Sequence, residues 1–126
     1  MTTFALNLAK QIEAANDKVE SIVKVTMIEL FNRVIQKSPV DTGRFRANWN
    51  CSIGSPDLST SQAIDPSGSG AISKANSTVV SYTLNGQSVF LTNNLPYADR
   101  LENGWSKQAP NGMVRLSMME IQNSVR

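Results

Sequence analysis

With no histidine in the sequence, acid–base, metal and nucleophilic chemistry would fall chiefly to ten carboxylates and one thiol. Ser/His/Asp triads, Cys/His dyads and histidine-based metal centres are excluded outright. Two-carboxylate glycoside hydrolysis and metal-dependent nuclease chemistry need no histidine and stay open in principle. The carboxylates are Glu13, Asp17, Glu20, Glu29, Asp41, Asp57, Asp65, Asp99, Glu102 and Glu120. Only Asp99 and Glu102 form a close pair in a suggestive context, three residues apart on one short helix and so on similar faces. Adjacent acids on a solvated helix are commonplace, and we assign no catalytic residue, metal ligand or cofactor. Cys51 falls on the same face of a strand pattern as Trp49 and Ile53, which makes it a small core residue. A nucleophilic thiol would need a base or a nearby cation to lower its pKa, and no histidine can supply one.

The basic side chains make the other cluster. Arg33, Lys37, Arg44 and Arg46 surround a single acid, Asp41, within a short stretch. Such a patch can touch DNA phosphates, pair with acids of a neighbouring subunit, or satisfy the last carbonyls of a helix. The net charge of +2, twelve Lys and Arg against ten Asp and Glu, allows transient non-specific DNA contact and argues for nothing stronger. No glycine-rich phosphate cradle is present.

The elements that must position these groups begin with a long helix. From Thr3 to Lys37 there is neither glycine nor proline, and Ser38-Pro39 ends the pattern. Leu8, Ile12, Ala15, Val19, Val23, Met27, Leu30 and Val34 recur at steps of three and four. Glu13, Asp17, Glu20 and Lys24 lie opposite in the first half, but Ile28, Phe31 and Ile35 take over that sector in the second. About 35 helical residues would span roughly 50 Å, against a compact-domain diameter of roughly 36 Å. The helix therefore bends or projects, with Phe4, Leu6 and Leu8 needing cover from another subunit. A break near Asn16-Asp17, folding it into a hairpin, is the alternative.

Beyond it, Pro39, Asp41, Thr42 and Gly43 predict a rigid turn, with Asp41 as its Asx-type former. Trp49, Cys51 and Ile53 alternate with polar residues as in a half-buried strand. Residues 55–70 are rich in Ser, Gly and Pro and predict an exposed, mobile loop. Ala71 to Tyr82 has the spacing of a helix and, over its second half, the composition of a strand; we favour a helix ending near Asn85-Gly86, with a strand as the rival. Residues 88–92 predict a buried strand. Asn93-Asn94 can then cap a short helix with Pro96 in its first turn, Tyr97 to Glu102 as its body and Asn103-Gly104 as its left-handed exit. Val114, Leu116, Met119, Ile121 and Val125 support a terminal helix. With 126 residues, 40% of them hydrophobic, the chain fits one domain. The lone cysteine points to a reducing compartment, and no stretch is apolar for the roughly 20 residues that cross a bilayer.

Two stretches together resemble one family. Ser38-Pro39-Val40-Asp41-Thr42-Gly43-Arg44-Phe45-Arg46-Ala47-Asn48-Trp49, after a long amphipathic helix, resembles a segment of the tail-completion, or neck, proteins of long-tailed bacteriophages. Val89 to Ala98, with Asn93-Asn94-Leu95-Pro96-Tyr97-Ala98, is similar to the same family, as is its continuation through Leu101-Glu102-Asn103-Gly104-Trp105-Ser106 and Pro110 to Arg115. The resemblance implies an α+β fold, with a long N-terminal helix packed on a small sheet, short helices and a C-terminal helix. It implies a non-enzymatic virion protein without cofactors, which forms a homo-oligomeric, six-fold ring between head connector and tail tube. Its partners would be other copies of itself, the tail tube or tail terminator, and the head-completion or connector proteins. A tail terminator or head-closure ring of the same junction, or a small DNA-binding module using the four basic residues, are the other readings. On the family reading Pro96, Tyr97, Glu102, Gly104 and Trp105 shape a second rigid corner, and the protein resides in the virion after assembly in the host cytoplasm, with no membrane partner.

Overall fold

The structure is a computed structural model that describes residues 3–124; on the first helix, side chains are described at positions 7, 10, 11 and from 14 onward. The expectations for Phe4, Leu6, Leu8, Ile12, Glu13 and Val125 lie outside the described residues. Among the described residues the elements run α1 (Thr3–Lys37), α2 (Arg44–Ala47), β1 (Asn50–Ile53), α3 (Ser69–Val80), β2 (Val89–Thr92), α4 (Ala98–Glu102) and α5 (Val114–Ser124). This is an α+β fold. No described helix is long and apolar enough to cross a membrane.

The long helix is continuous, so the hairpin alternative at Asn16-Asp17 does not occur. At about 1.5 Å per residue α1 is roughly 52 Å long, and among its described side chains those that pack into the core lie in its C-terminal half. Residues 14–19 are all exposed. Among the described residues the first tertiary bond is made by Lys24, whose Nζ donates to the carbonyl of Val80 at 2.9 Å while pairing with Glu20 at 3.3 Å. From Met27 onward the helix enters the core, where Phe31, Val34 and Ile35 are buried. The broadened apolar arc is the part that packs on two partners, α3 and α5.

Helix α3 confirms the helical reading of residues 71–82, beginning slightly earlier and ending at Val80. Ala71, Ala75 and Val79 occupy its buried face at intervals of four. Two of these side chains are methyl groups, which lets α3 lie close between α1 and β1. β1 and β2 pair antiparallel, with Asn50 opposite Thr92 and Cys51 opposite Leu91. Two four-residue strands make a marginal sheet alone, and α3 supplies the backing it needs. Leu95, Ala109 and Met113 complete the core around Trp49 and Phe45.

The segment from residue 55 to 68 has no regular structure and lies bonded to its surroundings. The Asp57 carbonyl accepts from Thr92 Oγ1 at 2.7 Å and Asn94 Nδ2 at 3.0 Å, and Ser61 is clasped by buried Asn48. Asn48 donates to the Ser61 carbonyl and accepts from its N–H, so a single amide fixes both main-chain polar groups of that residue. At the far end Asp65 Oδ2 accepts from the Ala71 N–H at 2.9 Å, placing a carboxylate on the first turn of α3 where four N–H groups lack helical partners.

Three local expectations need correction. Asn93 and Asn94 do not cap α4, whose N-cap residue is Tyr97; Asn93 instead donates to the Phe45 carbonyl at 2.9 Å, and Asn94 holds Asp57. The turn after α1 is closed by Thr42, whose Oγ1 accepts from the Arg44 N–H at 3.2 Å, while Asp41 is exposed. A one-turn helix, α2, follows where only a turn was expected.

Candidate functional site

The two motif stretches, some fifty residues apart, converge on one cleft of about 420 Å³. Pro39 to Phe45 form one wall, and Tyr97, Leu101, Ser106 and Gln108 form the other. The walls are fastened by a pair of hydrogen bonds to one amide: the Val40 N–H donates to Gln108 Oε1 at 2.8 Å, and Gln108 Nε2 donates to the Val40 carbonyl at 2.9 Å. Phe45 joins them from inside, with its ring 5.7 Å from Trp49 edge-on and 5.9 Å from Tyr97. Trp49 is itself anchored, since its Nε1–H donates to Ser38 Oγ at 2.8 Å, and that hydroxyl donates onward to the Val34 carbonyl. The sequence marks Ser38-Pro39 only as the end of a helix; the bonds of the Ser38 hydroxyl and of the Gln108 amide carry no signal until their partners are known. Gln108→Ala removes the fastening and is expected to cost about 1 kcal/mol, read as a lower urea midpoint with an unchanged slope.

Tight backbone packing holds each side of the cleft. Pro39 is buried, and Gly43 has φ +96° with Pro66 directly against it. Gly104 has φ +84°, and an added Cβ would meet the Pro110 carbonyl; Gly112 is likewise closed by the Glu102 carbonyl. Gly104 is thus the left-handed exit that its position after Asn103 predicted.

Glu102 has a specific task. Its Oε1 accepts from the N–H groups of Met113 and Val114, both at 2.9 Å, and its Oε2 accepts from Arg115 at 3.0 Å. The carboxylate therefore caps α5 from another helix. Partial burial pushes this carboxyl up, but the three backbone donors and the Arg115 charge outweigh it and hold the group below its ordinary range. Asp99 shares none of these bonds and is exposed. A carboxylate whose oxygens are committed to N–H groups is a poor proton donor or acceptor, so Glu102 has a structural explanation.

The basic cluster is divided among separate partners within the chain. Arg33 and Lys37 both reach Glu120 on α5, at 3.2 and 2.9 Å. Hydrogen bonding from Lys37 first, and from Arg33, holds the Glu120 carboxyl below its ordinary range. Arg46 donates to three carbonyls, those of Gln36, Ser38 and Pro66, at 2.7 to 2.9 Å. Two of these lie at the end of α1, so the guanidinium satisfies the orphaned acceptors there and ties them to the loop. Arg44 donates to the Ser61 carbonyl at 3.0 Å.

The outer rim of the corner is aromatic. Trp105 is 72% exposed, and the Arg100 guanidinium lies over its ring at 5.1 Å from the centroid. Tyr97 and Pro96 are also exposed nearby in sequence. A larger, polar groove of about 610 Å³ runs between β1, residues 57–61 and α3, lined in part by Lys74 and Asp57. Cys51 borders it, half-buried, with burial pushing its thiol up to about 11. Among the described residues no three Cys, Asp or Glu side chains gather as a metal set. Compared with models of protein families, with curated proteins and with solved structures, the chain matches none.

Proposed function

We propose that this chain is a structural subunit of the neck of a long-tailed bacteriophage, completing the tail and joining it to the head connector as a ring through which DNA passes. The observation that carries the reading is the corner just described. The two stretches that resemble the tail-completion family, remote in sequence, are the ones that clasp each other, and their rim carries Trp105, Arg100 and Tyr97. Trp, Tyr and Arg are the residue types that dominate the energy of protein interfaces. An exposed tryptophan on a backbone too tightly packed to yield is a docking platform that loses little entropy when a partner covers it.

The basic residues fit the same role. Arg44 and Arg46 bond carbonyls of their own chain, so DNA is taken to pass without capture, which disfavours the small DNA-binding module. The protein acts by shape and contact rather than by catalysis. Its place is the virion neck, reached from the host cytoplasm during assembly.

Deleting the gene from its phage should yield full heads and finished tails that do not join, and supplying the purified chain should restore joined particles under negative stain. Trp105→Ala protein should keep the wild-type unfolding midpoint yet restore at least about tenfold fewer particles at equal concentration. Joined particles in the deletion would overturn the reading. Density capping the tube or lying directly beneath the portal, in a map of the neck, would instead assign tail termination or head closure.

A further inference from the structure

The part of α1 that leaves the domain carries a second apolar stripe, distinct from the one the core uses. Leu8, Ile12, Ala15, Val19 and Ile22 follow alternating steps of four and three, the heptad spacing of a coiled-coil seam, which Ala5 begins and Thr26 ends. At 3.6 residues per turn this stripe lies about 130° round the helix from the direction of Phe31, Val34 and Ile35. The core that buries those three cannot reach it. Ala15 and Val19 are exposed accordingly, and Ile22 is 57% exposed.

The charges of the segment are sorted with respect to this seam. Of the positions flanking it, Ala9, Gln11, Asn16, Lys18, Val23 and Val25, one is charged. Lys10, Glu13, Asp17, Glu20 and Lys24 occupy the remaining outer positions, which a paired helix turns to water. A helix meant for solvent on every side has no reason to sort its charges in this way. The next two heptad positions are Glu29 and Arg33, so the seam stops where Arg33 pairs with Glu120 and α1 enters its own core. Residues 14–19, all exposed, lie on a helical stretch that holds its conformation weakly in water by itself, and pairing would stabilise it.

We propose that residues 5–26 of α1 pair with the same segment of a second copy of this chain through this seam. The occupant is a second copy because an identical helix presents the same heptad seam in register, and its flanks carry almost no charge to repel one. The inference deepens the reading of the chain as an assembling subunit and rests on it for its setting.

Sedimentation equilibrium of the full chain tests it. The wild-type protein should associate with rising concentration. Ile22→Glu should raise the dissociation constant at least about tenfold, because a charge must enter an apolar seam, and Val19→Lys should do the same with the opposite sign of charge. Ser21→Glu, a charge on the outer face of the same turn, should change it less than about twofold. Read at a concentration where the wild type is monomeric, Trp49 fluorescence should give all three variants the wild-type unfolding midpoint, since none of these side chains belongs to the core. A wild-type chain that stays monomeric, or equal effects from Ile22→Glu and Ser21→Glu, overturns the proposal. Rings that persist in Ile22→Glu overturn the seam while leaving the neck reading intact; pairing that obeys the seam in a protein unable to join heads to tails supports the seam and removes the neck reading.

Discussion

Replacing Gly43 by alanine is expected to destabilise the fold by about 2–4 kcal/mol, measured by urea denaturation followed through Trp49 fluorescence. Two costs combine. The residue sits at φ +96°, where a side chain costs about 1–2 kcal/mol in backbone conformation alone. The new Cβ would also lie 2.6 Å from Pro66 N and 2.9 Å from the Asp65 carbonyl carbon. Neither neighbour can swing aside, one being a proline ring and the other main chain. Shifting them would disturb the bond from Arg46 to the Pro66 carbonyl and the placement of the Asp65 carboxylate on α3. The Gly43 carbonyl itself accepts from both Ala47 and Asp65. Gly86 provides the control: it has φ +87° but nothing within 4 Å of an added Cβ, so Gly86→Ala should show the conformational cost alone. Equal losses at the two positions would mean that the contact between Gly43 and Pro66 is not what holds this corner.

The same corner shows which features a sequence can reveal. Periodicity without glycine or proline located α1, and Ser38-Pro39 marked its end, because both signals are local. The excess of its length over the domain was legible too, as a simple comparison of sizes. What could not be read was which group of residues satisfies which backbone atom across a gap. Asp41 and Thr42 are both turn formers, and only the geometry chooses the threonine. Asn93 and Asn94 have the right chemistry for a cap, but the Phe45 carbonyl and the Asp57 carbonyl claim them through the tertiary fold. The basic cluster was visible as a run of charges, yet its division between Glu120, the end of α1 and the Ser61 carbonyl depends on where α5 and residues 55–68 pass. α2 escaped notice because a single turn has no period to detect.

Glu102 is the sharpest case, and its removal should be the second large loss. Glu102→Ala is expected to cost about 2 kcal/mol, because it strips three N–H groups at the start of α5 of their acceptor, one of them on buried Met113. Glu102→Gln keeps one carbonyl oxygen and the shape but loses the charge facing the helix N-terminus, so it should recover roughly half. The pH dependence separates this role from mere packing. A carboxyl held below its ordinary value in the fold contributes stability that is fully present above the unfolded value of about 4.3. That contribution declines as pH falls through the folded value, since below it both states are protonated. The difference in stability between wild type and Glu102→Gln should therefore be largest near neutrality and shrink below about pH 4, while Glu120 and Asp57, also held low, titrate alike in both proteins and cancel. Denaturation midpoints taken across pH 3 to 7 would measure it. A gap that stays constant down to the lowest pH would show that the side chain only fills space, and that α5 is held to the corner by the burial of Met113 and Ile121 rather than by its charged cap.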